Sequence, residues 1–561
     1  MKRFDKEFRL LFIGAALTAT LAAFNADDKM IKKAGEAIKG TAYRSHVEGL
    51  SSDELEGRSP GSEGERKTIE YLEKEFLELG LQPVAGGDYR QEVPLVEIIG
   101  SDQKLSFNRG AGEMTLAFGA DMVLGTRRVR PESSVARSEV VFVGFGIDAP
   151  EYDWNDYTGV DMRGKTALIL VNDPGFVTGD ETLFRGRAMT YHGRWTYKFE
   201  EAARKGAAGA IIVHETAPAA YGWEVVRNGW SGPQFYLDRS DGNAGRTALE
   251  GWITEGRARQ LMELAGQDFD AMKAAAVKRG FKPVPLGVTA TGGVRNAIRH
   301  KRSPNVVGVI PGKDRPDEYV VYMAHWDHLG VAEEPGEDRI FNGAVDNATG
   351  VSGILTIARG FREMLPGVSR SVLFIAVTAE ESGLVGSEYY AEEPLVPLEK
   401  TAAVMNIDAI QPLGRAKDVE VIGFGASDLE DLLTAAAKSQ KRTLTADLRS
   451  EAGYFYRSDH FNSAKAGVPA LYIKSGTMLR DKPEGTGKAM VDDFYATRYH
   501  KPDDEYSESW DVTGSIEDLR LLFEVGVRVA NAETWPEWRE GNEFRAVREK
   551  SAASRKPEEE Q

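Results

Sequence analysis

Residues 319–330 read YVVYMAHWDHLG, an unbroken apolar run that ends abruptly in His325, Trp326, Asp327 and His328. A run of this kind, without polar alternation, marks a strand buried on both faces, as parallel sheets require. The pattern repeats outward along the chain. SVLFIAVTA from Ser371 ends in Glu380 and Glu381, and AAVMNI from Ala402 runs to Asp408. NVVGVI (305–310), DVEVIGF (418–424) and PALYIK (469–474) are further buried-strand runs, with helical stretches between several of them. Strand and helix signals in alternation predict an α/β fold with a doubly wound mixed sheet. Open sheets of this class place their sites at the carboxyl ends of strands. His325, Glu380, Glu381 and Asp408 therefore fall on one edge, and Asp346, in the loop FNGAVDNATG just before a helical stretch, falls beside them.

The chain has 561 residues, 42% hydrophobic and 28% charged, so two or more domains are expected. Its net charge of −17 repels duplex nucleic acid and anionic bilayers, which excludes a polyanion-binding role. There are no cysteines, and this excludes disulfides, thiol catalysis and Cys-ligated metal. Any metal must be held by His and carboxylates.

Lys2, Arg3, Lys6 and Arg9 precede an apolar stretch at 10–23, which reads as a secretory signal over 1–26 and predicts export to the periplasm or medium. No other stretch approaches membrane length. From Ser62, SEGERKTIEYLEKEFLELG carries a capping-box spacing, a stripe of Ile69, Leu72, Phe76 and Leu79, and Gly80 as a stop, which predicts an amphipathic helix. Between 136 and 292 the texture changes to short β-branched runs (VVFVGFG, TALILVND, AGAIIVHE) among Gly-rich and aromatic loops, the mark of an inserted β-rich domain. The flanking parts, 27–135 and 293–543, form the α/β domain, and the charged tail 544–561 is expected to be disordered. Trp195, Tyr197, Trp223 and Trp230 of the insert are core residues or line a cleft.

Of eight histidines, His325, His328, His460 and His500 lie in the α/β part beside carboxylates. A strand as apolar as SVLFIAV does not end in two glutamates without a cation to meet them, and a divalent metal is such a partner. Hydrolysis with two metals needs a carboxylate to bridge them, terminal N/O ligands on each, and a free base near the water. The sequence supplies those residue types.

These residues, with the segment LSSDELEGRSPGSEGERKTIEYL from Leu50, resemble the co-catalytic zinc exopeptidases, a family that includes secreted bacterial leucyl-type aminopeptidases, glutamate carboxypeptidase II, the transferrin receptor ectodomain and glutaminyl cyclases. The resemblance runs from about Leu50 to Asn531, and its insert is similar to the protease-associated domain. It implies two Zn²⁺ ions per chain and a peptide substrate. His325 and Asp408 would hold one metal, Glu381 and His500 the other, and Asp346 would bridge them. Asp327 would orient the His325 ring through its carboxylate, and Glu380 would be the general base. Arg457, in an Arg-Ser-Asp motif, would lie near the substrate carbonyl, and Tyr499 would hydrogen-bond the developing oxyanion. His328 would be a loop or substrate-side residue and His460 a structural one. The resemblance also implies a cis peptide bond at Asp346-Asn347.

An aminopeptidase is the first reading. A carboxypeptidase acting on acidic peptides needs a cluster of arginines for the product carboxylates, of which only Arg457 lies near the motifs. A glutaminyl cyclase works with one zinc, against the complete ligand set. A noncatalytic peptide receptor built on the insert is the alternative outside enzymes.

Overall fold

The computed structural model describes residues 28–84, 86–332, 338–364 and 366–555. The signal segment read at 1–26 lies outside them. Helix α1 (Glu63–Glu78) starts where the spacing predicts: Ser62 Oγ accepts from Glu65 N at 3.2 Å, and the Glu65 carboxylate accepts from Gly61 N at 2.7 Å. Ile69, Leu72, Phe76 and Leu79 are buried, and Gly80 adopts φ +67° to end the helix.

The strands that organise the molecule are, in chain order, β1 (Arg90–Arg109), β2 (Glu132–Phe142), β3 (Thr166–Leu170), β4 (Gly209–His214), β5 (Leu249–Thr254) and β6 (Val284–Ile310). They continue with β7 (Arg315–His325), β8 (Arg370–Val377), β9 (Thr401–Asn406), β10 (Asp418–Ile422), β11 (Thr443–Ala446) and β12 (Ala470–Ser475). One half of the sheet runs β11-β10-β12-β9-β7-β8-β6. In it β7 is parallel to β8 and β9, and β9 to β12, whereas β6 is antiparallel to β8 and β10 to β12. The mixed sheet expected from the strand runs is present. Alternate residues of β7 feed two layers: Val320, Tyr322 and Ala324 join Leu72, Phe76, Ile354 and Leu519 on one face, and Val321 and Met323 join Leu373, Ile375 and Phe461 on the other. Burial of both faces explains why these strands carry no polar alternation.

The other half runs β6-β2-β3-β4-β5, in which β2 through β5 are parallel to one another and β2 is antiparallel to β6. It has two apolar layers of its own, one around Phe142, Leu168 and Val213, the other around Val141, Ile169, Ile212 and Trp252. Helix α2 (Trp195–Arg204) packs against β4, so the insert is α/β in build rather than merely β-rich. Trp195, Trp223 and Trp230 pack on the second of these layers, and Tyr197 is in the first. Tyr197 is buried core, and the three tryptophans are half-buried at the edge of it. Hydrogen bonding does not separate the halves. β6 pairs with β2 through residues 284–295 and with β8 through 306–310, so one long strand joins both into a sixteen-stranded ladder. Leu105, Phe107, Leu116, Met122 and Leu124 also belong to the first of these layers: β1 runs antiparallel to β6, Leu116 pairs with Leu105, and residues 122–125 pair with β5.

Three helices finish the α/β part as it bears on the site: α3 (Thr349–Arg362), α4 (Thr486–Thr497) and α5 (Thr513–Asn531). The tail departs from the expected disorder. Residues Arg545–Ala552 form α6, held because the buried Arg548 guanidinium donates to Thr401 O (3.0 Å) and Ala402 O (3.1 Å). Residues 556–561 lie outside the described part. No described helix is long and apolar enough to cross a membrane.

Candidate metal centre

Register places the site. His325 is the last residue of β7 and lies opposite Val377, the last of β8, and Met323 lies opposite Asn406, the last of β9. β7 and β8 thus end at one level and β9 two residues short of it, with Glu380, Glu381 and Asp408 on the turns just beyond. Asp346 arrives from the turn before α3. The Asn347 side chain ties that turn to the Asp408 loop: its Oδ1 accepts from Gly350 N (2.9 Å) and Ala409 N (3.1 Å), and its Nδ2 donates to Ile407 O (3.1 Å). Gly343 enters the turn at φ +54°, where a Cβ would sit 2.2 Å from Asp346 O and 2.6 Å from the His328 ring. Only glycine fits there. The Asp346-Asn347 bond is cis, as the resemblance implies.

The side chains converge. Asp346 Oδ1 is 3.2 Å from His325 Nε2, and Asp346 Oδ2 is 3.3 Å from His500 Nε2. His325 Nε2 is also 3.7 Å from Asp408 Oδ1, and His500 Nε2 is 3.2 Å from Glu381 Oε2. Two sets of donor atoms result, one from His325 and Asp408 and one from Glu381 and His500, with one oxygen of Asp346 turned to each. Glu380 also comes within 4.8 Å of His325 and Asp408, and Glu381 within the same distance of His325 and Asp346. Zinc bonds of about 2.0–2.1 Å at tetrahedral angles put neighbouring ligand atoms about 3.3 Å apart. The observed separations fit such an ion.

Charge points the same way. Burial opposes ionisation of Asp346, but hydrogen bonds from His325 and His500 outweigh it and hold its carboxyl well below the usual range. Glu381, likewise buried, is held down to about 2 by His500 and His328. His325 and His500 are raised well above ordinary imidazole, against their burial, by the carboxylates around them. Protonated imidazoles here stand in for cations. Glu380 differs: burial, with Glu381 beside it, pushes its carboxyl well up, which suits a group that takes and returns a proton.

Supporting residues hold the loops. Asp327, expected to orient the His325 ring through its carboxylate, does so through its backbone: His325 Nδ1 lies 3.1 Å from the Asp327 carbonyl oxygen and 3.8 Å from Oδ1. The carboxylate instead reaches across to β8 and accepts from Glu380 N (3.1 Å) and Glu381 N (3.4 Å), because the tight turn after β7 brings the carbonyl under the ring. His328 is fully buried rather than substrate-side, with Nδ1 2.5 Å from Glu381 Oε1. His460 is buried against Phe455 and Tyr472, outside the ligand set. Tyr499 stacks on His500, ring centroids 3.9 Å apart, and is 36% exposed. Arg457 precedes Ser458, whose Oγ donates to Asp408 Oδ2 at 2.6 Å.

Sequence reasoning missed two residues. Asp504 accepts from Val345 N and Asp346 N, both at 3.0 Å, and fixes the turn that carries Asp346. Arg58 is buried and donates to Trp326 O (2.8 Å), Asn342 O (2.6 Å) and Gly343 O (3.0 Å), tying the His325 and Asp346 loops together. Arg58 lies inside the quoted LSSDELEGRSPGSEG segment, the one signal that could have found it. No local signal marks Asp504.

Residues 305–523, which contain all nine site residues named from the sequence, match Peptidase family M28. Aminopeptidase NAALADL1 of Mus musculus is 35% identical over 137 residues, 23% of this chain and 17% of that protein. A glutamate carboxypeptidase 2 homolog of Caenorhabditis elegans is 32% identical over 190 residues, covering 33% and 23%. A probable leucine aminopeptidase of Arthroderma otae is 28% identical over 248 residues, covering 42% and 60%. The chain thus spans about a fifth of the length of the first two relatives. Among solved structures, an aminopeptidase from Aneurinibacillus sp. strain AM-1 aligns over 89% of this chain and 96% of its own, at 20% identity and a TM-score of 0.48.

Proposed function

We propose that this chain, whose residues 305–523 match Peptidase family M28, is a zinc-dependent exopeptidase, and most specifically an aminopeptidase carrying two ions per chain. The observation that carries the reading is Asp346, which turns one oxygen to His325 and the other to His500 at nearly equal distances. The residues His325 and Asp408 would hold one ion, Glu381 and His500 the second, and Asp346 both. When bound, the pair supplies Lewis acidity that activates a water and polarises the scissile carbonyl.

The chain's own residues do the rest. Glu380, half-buried beside His325 and Asp408, accepts the proton of the attacking water at its carboxylate and passes it to the leaving amine. Asp327 fixes the backbone on which Glu380 and Glu381 ride. Tyr499 would donate its hydroxyl to the carbonyl oxygen as charge develops, a role supported by its stacking on His500. A substrate amino terminus would sit beside Glu380 and Asp408. The unit within 136–292 is read as a protease-associated insert, supported by apolar layers distinct from those around β7, and the protein as exported, supported by the charge and apolar pattern of its first residues. The test is metal content and hydrolysis of leucyl-4-nitroanilide on one preparation. Two zincs with turnover establish the reading, and absence of turnover at full metal content defeats it.

A further inference from the structure

The turn that carries Glu380 and Glu381 is held in a conformation its own residues resist. Ala379, before it, has φ +52°, and Leu384, which closes it, has φ +66°. A residue with a Cβ takes such values only where its surroundings impose them. Inside the turn, Gly383 N and Leu384 N both donate to Glu380 O, at 2.8 and 2.9 Å, and Val385 N folds back to Ala379 O at 3.1 Å. On the side of the metal centre, the Asp327 carboxylate accepts from Glu380 N and Glu381 N. The opposite side rests on the insert.

Leu237, at the end of the insert strand Pro233–Leu237, is 2% exposed and packs in one apolar cluster with Val93 and Leu95 of β1 and with Ala379 and Val385, the residues on either side of the turn. The strand is fixed by pairing, with Leu237 opposite Leu95, and Asp238 N continues it by donating to Pro94 O at 3.0 Å. Beyond Leu237 the chain bends back, because the buried Asn243 donates through Nδ2 to Leu237 O and Arg127 O, both at 3.0 Å. The bend presents Arg239 and Arg246 to the helix Val385–Glu392, which starts where the turn ends. Arg239 Nη2 lies 2.9 Å from Glu388 Oε1 and Arg239 Nε 3.2 Å from Glu392 Oε2, and Arg246 Nη2 lies 3.4 Å from the same oxygen of Glu388. Exposed ion pairs contribute little. Here the side chains of Arg239 and Glu388 are only 27% and 23% exposed, and the pairs orient a helix that the apolar cluster already holds.

We infer that Leu237 and Arg239 are positioning residues for the general base: from behind, the insert fixes the turn on which Glu380 and Glu381 ride. The inference rests on the peptidase reading for its effect on rate, and on geometry alone for its effect on Glu381 as a ligand. Both residues act through the backbone. Leu237 bars Ala379 from relaxing toward negative φ, and Arg239 keeps Glu388, and with it the first turn of the helix, from swinging outward. Catalysis is sensitive to such shifts, since a displacement of about 1 Å can cost about 10²-fold. The insert thereby gains a role that needs no contact with substrate, and the register of Leu237 on β1 sets where the base stands.

The experiment compares the full chain with Leu237→Ala, Leu237→Met, Arg239→Met and Arg239→Lys. On leucyl-4-nitroanilide, Leu237→Ala should lower kcat about 10–100-fold and Arg239→Met about 3–10-fold, with KM within about twofold of the parent, because an interaction made only in the transition state is weakened. Leu237→Met, which conserves volume, and Arg239→Lys, which keeps a charge, should each recover part of the loss. Independently of turnover, isothermal titration of the metal-free variants with zinc should show the site of Glu381 and His500 weakened about 10-fold, the size expected when a ligand loses its support. The site of His325 and Asp408 should be unchanged. Added to His500→Ala, which retains only that site, Leu237→Ala should change no affinity. Lys198→Met, elsewhere in the insert, is the control for stability alone and should leave kcat and zinc affinity at the parent's values. Parent values of both in Leu237→Ala and Arg239→Met overturn the inference, as do equal losses at both zinc sites or the same losses in Lys198→Met, and each leaves the peptidase reading standing. A weakened Glu381 site in the variants of a parent that binds zinc and cleaves no peptide upholds the positioning role and defeats the peptidase reading.

Discussion

Each half of the molecule buries a cluster of charged groups, and the two are built on opposite principles. In the insert, Lys198, Asp156 and Asp173 are all at most 1% exposed, and the chain satisfies each one. Lys198 Nζ donates to His192 O at 2.6 Å, Asp156 accepts from Ile147 N and Trp154 Nε1, and Asp173 accepts from Phe176 N and from both the amide and the hydroxyl of Thr190. Burial pulls Lys198 down to about 7 and pushes the two carboxyls up to about 7 and 6, so each group drifts toward its neutral form. At the strand ends the opposite occurs. Asp346 and Glu381 are driven further into the charged form, and the counter-charges that touch them are imidazoles that must be protonated to serve. A closed cluster stabilises a fold, whereas a cluster with a surplus of charge is waiting for a ligand.

That contrast can be broken from either side. The largest effect should follow Asp346→Ala, which removes the one shared ligand: zinc titration of the metal-free variant should find neither site, and hydrolysis should vanish. His500→Ala should lose one site and keep the other, and equal loss in both variants would deprive Asp346 of its bridging role. Glu380→Gln should keep both metals and lose about 10²–10⁴-fold in kcat, since the amide cannot accept the water proton. Loss of metal together with rate would make Glu380 a ligand. Lys198→Met, on the insert side, should cost about 3–5 kcal/mol by denaturant titration, the usual result of stranding one side of a buried charge cluster, with zinc stoichiometry unchanged. A change in metal content there would show that the two clusters are coupled.

The smallest effect concerns pH. Burial pulls His460 down to about 3 in the folded chain, against about 6.5 when unfolded. A base with a lowered folded pKa contributes stability that is complete above about 6.5 and is lost as pH falls toward 3, because the unfolded chain takes up the proton first. His460→Phe should therefore flatten the fall in stability between pH 6.5 and 3 by as much as one proton's slope, read from denaturant midpoints at several pH values. An unchanged slope would mean that His460 takes up its proton without unfolding.

What could be read from the residues alone was local. Apolar runs identified the strands because burial on both faces removes alternation, and their abrupt polar ends identified His325, Glu380, Glu381 and Asp408. The stripe from Ile69 to Leu79 and its caps fixed α1 for the same reason, as the whole signal lies within a few turns of chain. What only the tertiary structure decided joins residues far apart in the chain, and no local pattern encodes such pairings. Asp504 under the Asp346 turn, Arg58 between two loops, and the carboxylate of Asp327 reaching to the Glu380 turn depend on register and on turn geometry. The continuity of the two half-sheets came from the length of β6, whose interior carries the polar stretch RHKRS, paired throughout with β1.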